Sequence, residues 1–302
     1  MTPAHDHDHR GALDRSGQRG ALRWALLANS LFLVAEVIGG VAFHSLALFA
    51  DAVHLLTDVG ALIIALVALR LTSRPSTERH TFGLERAEVL GALVNGLALL
   101  TASGWIVYEA ARRIGASPDV DGAGVLIVAT IGLVVNVVSA VALARSMGRS
   151  LNMRGAVLHM LMDAIGSAGA MGAAVAILVW DATWTDAAVS FAIALLVVWS
   201  GFRLLADTVH VLLEGTPEGM DRAAVEATLL AAADVDAVHH LHLWSLASDV
   251  PALSAHVVIR GEVSLHDAQQ RGEALKELLA TKHGIAHATL ELECHPCEDD
   301  IH

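Results

Sequence analysis

The chain has 302 residues, 55% of them hydrophobic and only 17% charged, with a formal net charge of −13. A mean hydropathy of +0.56 excludes an ordinary soluble domain, and the lack of a basic face excludes nucleic-acid binding. The only cysteines, Cys294 and Cys297, exclude a disulfide framework; their spacing at the end of the chain suggests a reducing compartment or a metal.

Residues 1–20 are polar and carry His5-Asp6-His7-Asp8-His9, alternating two ligand types. No basic start runs directly into a short apolar core, so no secretory signal is expected. Six apolar spans follow, at about 21–43, 46–71, 87–113, 122–146, 155–180 and 186–213. An even number of spans puts both termini on one side. Arg10, Arg15, Arg19 and Arg23, then Arg70, Arg74, Arg79 and Arg86, then Arg145, Arg149 and Arg154 all flank that side. The positive-inside rule makes it the cytoplasm, so a multi-pass protein of the cell (plasma or inner) membrane is expected. Asn29, Glu36, Asn95 and Asn136 lie within spans and are expected to face the bundle, the asparagines as interhelical hydrogen bonders.

After Leu213 the pattern changes. A helix is predicted over 217–233, with Thr216 as N-cap before Pro217. Strand-like runs at 238–246 and 252–260 follow, then a helix over 264–282 begun by Ser264, then a strand at 286–293. The expected fold is thus six transmembrane helices followed by a small cytoplasmic α+β domain of order αββαβ. Its divisions are a His/Asp-rich tail (1–20), a membrane domain (21–213), the cytoplasmic domain (214–294) and a C-terminal tail (295–302). At about 80 residues the last domain is marginal alone, which favours pairing with a second copy.

Ionisable side chains in a bilayer are costly, roughly 2.5–3.5 kcal/mol for a mid-membrane Asp. Two spans nevertheless repeat one motif, His54-x-x-x-Asp58 and His159-x-x-x-Asp163. A spacing of four puts both members on one helix face. Two such faces brought together offer two imidazoles and two carboxylates, a tetrahedral set suited to Zn²⁺ and, less selectively, to Cd²⁺, Co²⁺ or Fe²⁺. Asp51 shares the stripe and is assigned to packing or a water path. Because metal ligation requires a neutral imidazole, His54 and His159 are natural proton carriers. No P-loop is present, so an ion gradient must drive uphill movement. Divalent metal ions, protons and the lipid bilayer are the expected partners.

At these residues the chain resembles the cation diffusion facilitator family, in its zinc-transporter branch. The resemblance runs through Ser45-Leu46-Ala47-Leu48-Phe49-Ala50-Asp51-Ala52-Val53-His54-Leu55-Leu56-Thr57-Asp58, then His80-Thr81-Phe82-Gly83 with Arg86-Ala87-Glu88. It continues through His159-Met160-Leu161-Met162-Asp163 and Val238-His239-His240-Leu241-His242-Leu243-Trp244-Ser245-Leu246. It implies a homodimer, a metallochaperone-like cytoplasmic domain, and proton-coupled efflux of Zn²⁺ with His54, Asp58, His159 and Asp163 as transport ligands. It also implies a cytoplasmic, regulatory zinc site drawn from His239, His256, His266, Glu291 and Glu293, with His240 competing with His239. His80 matches a further ligand position, but Leu84 stands where some relatives carry a second His, so that site is expected to be absent. Cys294-His295-Pro296-Cys297 has ligand spacing and equally suits two reduced thiols.

Two rival readings use the same membrane cluster. An intramembrane zinc metalloenzyme would activate water there, but the chain has no H-E-x-x-H. A metal-sensing receptor would signal through the cytoplasmic domain, but no output module is evident. The exporter, not an enzyme, is the expected function.

Overall fold

The computed structural model describes residues 27, 30–72, 76–114, 119–145, 151–247, 250–261 and 263–295, with the side chains of 65, 69, 72, 142–145 and 151–159 left out. The expected tail, Asn29 and Cys297 fall outside them. The chain divides into two compact units, one built from residues up to 66 and 94–204, the other from 67–93 and 205–302.

The first unit is helical. A short apolar helix α1 (Ser30–Ala42) precedes α2 (Leu46–Thr72), α3 (Ala87–Arg113), α4 (Gly122–Arg145), α5 (Leu151–Trp180) and α6 (Trp184–Leu212). Five of these are long and apolar enough to cross a bilayer. Their lipid-type faces stay exposed, as with Val134, Val138, Leu196 and Trp199. Helix α2 is the hub. On one side Leu46 and Ala50 pack with Ile106, Ala110 and Ala194 of α3 and α6. On the other, Ala47 and Leu48 pack with Ala129, Val125, Ala170 and Ala174 of α4 and α5. Small residues at these contacts let the backbones approach, which drives helix association where lipid removes the hydrophobic effect. At Gly132 of α4 an added Cβ would meet the tip of the Phe32 ring of α1, which would have to shift.

The second unit carries α7 (Arg222–Leu230), β1 (Val235–Ala247), β2 (Val250–Ile259), α8 (Leu265–His283) and β3 (His287–Glu293), the αββαβ order read from the sequence. The sheet order is β1-β2-β3, with β1 and β2 antiparallel and β2 and β3 parallel. Both helices cover one face. Val225, Leu229, Leu275 and Leu279 bury Leu241, Leu243, Leu253, Ala255 and Val257. Helix α8 begins as expected: Ser264 Oγ accepts from the Asp267 N–H at 3.1 Å, and Gly284 ends the helix at φ 69°.

Helix α7 corrects one expectation. It starts at Arg222, capped by Asp221 accepting from the Ala223 N–H at 2.9 Å, and not at Pro217 behind Thr216. Gly219, at φ 78°, turns the chain out of any helix begun at Pro217. The sheet also slips where the pattern alone gave no warning. Register shifts between Val235 and Ala237 and between His239 and His242 advance the pleat of β1, so that Val238 pairs with Val257 and His239 with His256.

Ser264→Ala removes an N-cap worth about 1 kcal/mol. In the intact protein it should raise amide exchange across the first turn of α8, read by hydrogen–deuterium exchange, while leaving β2 unchanged.

Candidate metal centre

Asp51, His54 and Asp58 lie on one stripe of α2, as a spacing of three and four demands. His54 Nε2 lies 4.0 Å from an Asp58 oxygen and 3.0 Å from Asp163 Oδ1 of α5. The three offer ligand atoms all within 4.8 Å of one another, and Asp163 is only 4% exposed. A tetrahedral ion with bonds of about 2.0–2.2 Å spaces its ligands by roughly 3.3–3.6 Å, so small side-chain adjustments close this set on a cation. His159 lies on α5 one turn before Asp163; its side chain is outside those described.

Neighbouring polar groups brace the cluster. Asn95 of α3 donates to the Thr57 carbonyl at 3.3 Å, next to Asp58, and Asn136 of α4 reaches Ser167 of α5 at 3.5 Å. Both asparagines therefore make the interhelical bonds expected of them. Glu36 and Asp51 are both buried.

A second cluster occupies the sheet face opposite α7 and α8. The register sets His239, His256 and Glu291 in one row across the three strands. Glu293, two residues past Glu291, shares their face. His239 Nε2 lies 2.9 Å from Glu293 Oε2, and His256 Nδ1 lies 2.6 Å from Glu293 Oε1. Glu291 approaches His256 at 3.5 Å. His240 does not compete with His239. It occupies the bulge at φ 48°, and its ring centroid lies 5.1 Å from that of His239 and 5.0 Å from that of His256. Two consecutive residues of one strand normally face opposite ways; the bulge turns both imidazoles to one side. His239, His240 and His256 lie close enough together to hold a metal ion, as do His256, Glu291 and Glu293. His266 joins neither among the described residues: it is exposed in the first turn of α8, 3.3 Å from Gln270.

His80 is exposed in a tight turn with Thr77 and lines a cavity of about 1120 Å³ that also takes in Leu84, Arg86, His242 and Trp244. Beside it Arg86 pairs with Glu214 at 3.1 Å. Cys294 is exposed. One buried acid escaped the sequence reading. Asp186 is fully buried and bonded to the start of α2. Its one signal was an Asp in the first turn of an apolar helix.

Comparison with known proteins covers both units. The cation efflux transmembrane domain matches residues 22–213, and the cytoplasmic domain of cation efflux proteins matches residues 217–295. The metal cation efflux system protein CzcD of Cupriavidus metallidurans is 39% identical over 298 residues, covering 99% of this chain and 92% of that protein. The zinc transporter ZitB of Escherichia coli is 38% identical, covering 97% and 94%. The cadmium, cobalt and zinc/H⁺-K⁺ antiporter of Bacillus subtilis is 37% identical, covering 87% and 85%.

Glu293 bridges the two histidines of the sheet row, so Glu293→Gln keeps the shape and removes the charge. In a chain whose membrane cluster is silenced by His54→Ala, it should weaken zinc binding at least about tenfold, measured by competition with a chelating dye.

Proposed function

Since the chain belongs to the cation diffusion facilitator family, in its zinc-transporter branch, and is a metal cation efflux transporter rather than an enzyme, we propose that it exchanges Zn²⁺ for protons. The relatives named for cadmium and cobalt suggest that it also carries Cd²⁺ and Co²⁺. The observation that carries this reading is the 3.0 Å contact between His54 Nε2 and Asp163 Oδ1, made between two apolar helices.

That contact has a chemical consequence. An imidazole nitrogen facing a carboxylate oxygen at hydrogen-bond distance carries the hydrogen between them. The same nitrogen must give it up to ligate a metal. Metal and proton therefore compete for one atom, with Asp163 as partner to both. Asp58 supplies a second carboxylate, and His159 completes the set of four. Two carboxylates neutralise a divalent cation, which lowers the cost of holding it away from water. Imidazole with carboxylate favours zinc over the all-oxygen preferences of Mg²⁺.

The remaining parts follow from charge and topology. The arginines at 79 and 86 and at 145–154 support a cytoplasmic side holding both termini in the inner or plasma membrane. A homodimer is supported by the match to the cytoplasmic domain of cation efflux proteins and by the small size of that domain. The row of His239, His256, Glu291 and Glu293, with His240 beside it, serves as a regulatory zinc site on the cytoplasmic domain.

Asp58→Ala and His159→Ala each delete one ligand of four. Zinc flux into sealed proteoliposomes with an imposed pH gradient should fall by at least about 10- to 100-fold in both, the range already reached by losing an outer-shell partner of a metal site. Wild-type flux from either variant would refute the ligand set.

A further inference from the structure

Helix α2 carries His54 and Asp58, yet its first turn holds no acidic residue of its own. A helix start leaves four backbone N–H groups without intrahelical partners, and a buried start has no water to satisfy them. The partner comes from the far side of the sequence. Asp186, in the first turn of α6, is fully buried. Its Oδ2 accepts from the Leu46 N–H at 2.8 Å. Its Oδ1 accepts from the Ala47 N–H at 3.3 Å and from the Ser45 hydroxyl at 2.6 Å. Ser45 Oγ in turn accepts from the Leu48 N–H at 3.3 Å, so the chain of bonds reaches a third amide.

The join is braced from both sides. Ser190 donates to the Asp186 carbonyl at 2.5 Å. Arg113, at the end of α3, donates to the His44 carbonyl at 2.9 Å and is itself held by Glu109 at 3.1 Å. The turn before α2 is thus tied to the start of α6 and the end of α3.

We propose that Asp186 is a positioning residue for metal transport: it caps α2 from across the bundle and thereby fixes the height and rotation at which His54 meets Asp163. The proposal rests on the reading of the α2–α5 cluster as the transport site. His54 lies eight residues past Leu46, about 12 Å along a stiff helix. A shift or twist at the start of α2 is carried directly to that side chain. Both Asp186 oxygens are occupied by donors from α2, so the carboxylate is committed to holding the helix. Asparagine cannot replace it, because its NH₂ group would confront one of the same donors.

The test is the zinc-concentration dependence of flux in proteoliposomes containing the full-length protein. Asp186→Asn should raise the half-saturating zinc concentration by about 2- to 30-fold, the range spanned by loss of a helix cap. Adding Ser45→Asp to Asp186→Asn gives α2 a local cap and should bring half-saturation back to within about twofold of wild type. A lowered maximal rate at unchanged half-saturation, or no recovery in the double variant, would overturn the proposal. If Asp186→Asn does not assemble, Ser45→Ala carries the test: it should move half-saturation upward by a smaller factor, and an unmoved value overturns the proposal. His54→Ala in the same assay separates the two levels. Wild-type flux from it removes the transport site and the proposal together; loss of flux there, with wild-type half-saturation in Asp186→Asn, removes the proposal alone.

Discussion

An imidazole nitrogen 3.0 Å from a carboxylate oxygen, between two predominantly apolar helices, sets the terms for the membrane unit. Neither group is tolerable in lipid alone, so α2 and α5 must meet with their polar stripes matched. The packing around α2 serves that meeting. Alanines at 47, 129 and 170 bring α2, α4 and α5 close, while Leu46 and Ala50 seat α2 on α3 and α6. Asn95 holds the backbone beside Asp58. A helix gripped on both flanks can present two ligands to a third with little conformational freedom left to lose on binding an ion.

The cytoplasmic unit reaches a similar end by different means. Its sheet buries one face under two helices and gathers the histidines and glutamates on the other. A regular β1 would alternate sides throughout, and His239 would share the phase of core-facing Val235, Leu241 and Leu243. Two register shifts move it to the outer face opposite His256, and the second turns His240 to join them. The irregularities thus build the histidine group, at the cost of a left-handed residue, in keeping with the way bulges re-aim side chains near functional sites.

Much of this was legible in the sequence for physical reasons. Apolar length locates spans because the bilayer imposes it, and the period of the helix makes His54 and Asp58 neighbours whatever packs around them. The αββαβ order followed from alternation and from caps such as Ser264. What could not be read depends on contacts between distant residues. The register of β1 is decided by which side chains fit under α7 and α8, so the positions of His239 and His240 stayed ambiguous by one. Thr216-Pro217 looks like a helix start, but Gly219 turns the chain first. His266 matched a ligand position by resemblance, yet it lies in the exposed first turn of α8. Asp186 gave no sign of its role, because nothing local reveals that its partner amides lie at Leu46 and Ala47.

The proposed competition of zinc and proton for one nitrogen is tested most directly by following lumenal pH while zinc enters sealed proteoliposomes. Exchange requires the lumen to become more alkaline as zinc accumulates, and zinc entry to slow once an ionophore collapses the proton gradient. Zinc entering at an undiminished rate, with lumenal pH unmoved, would contradict it.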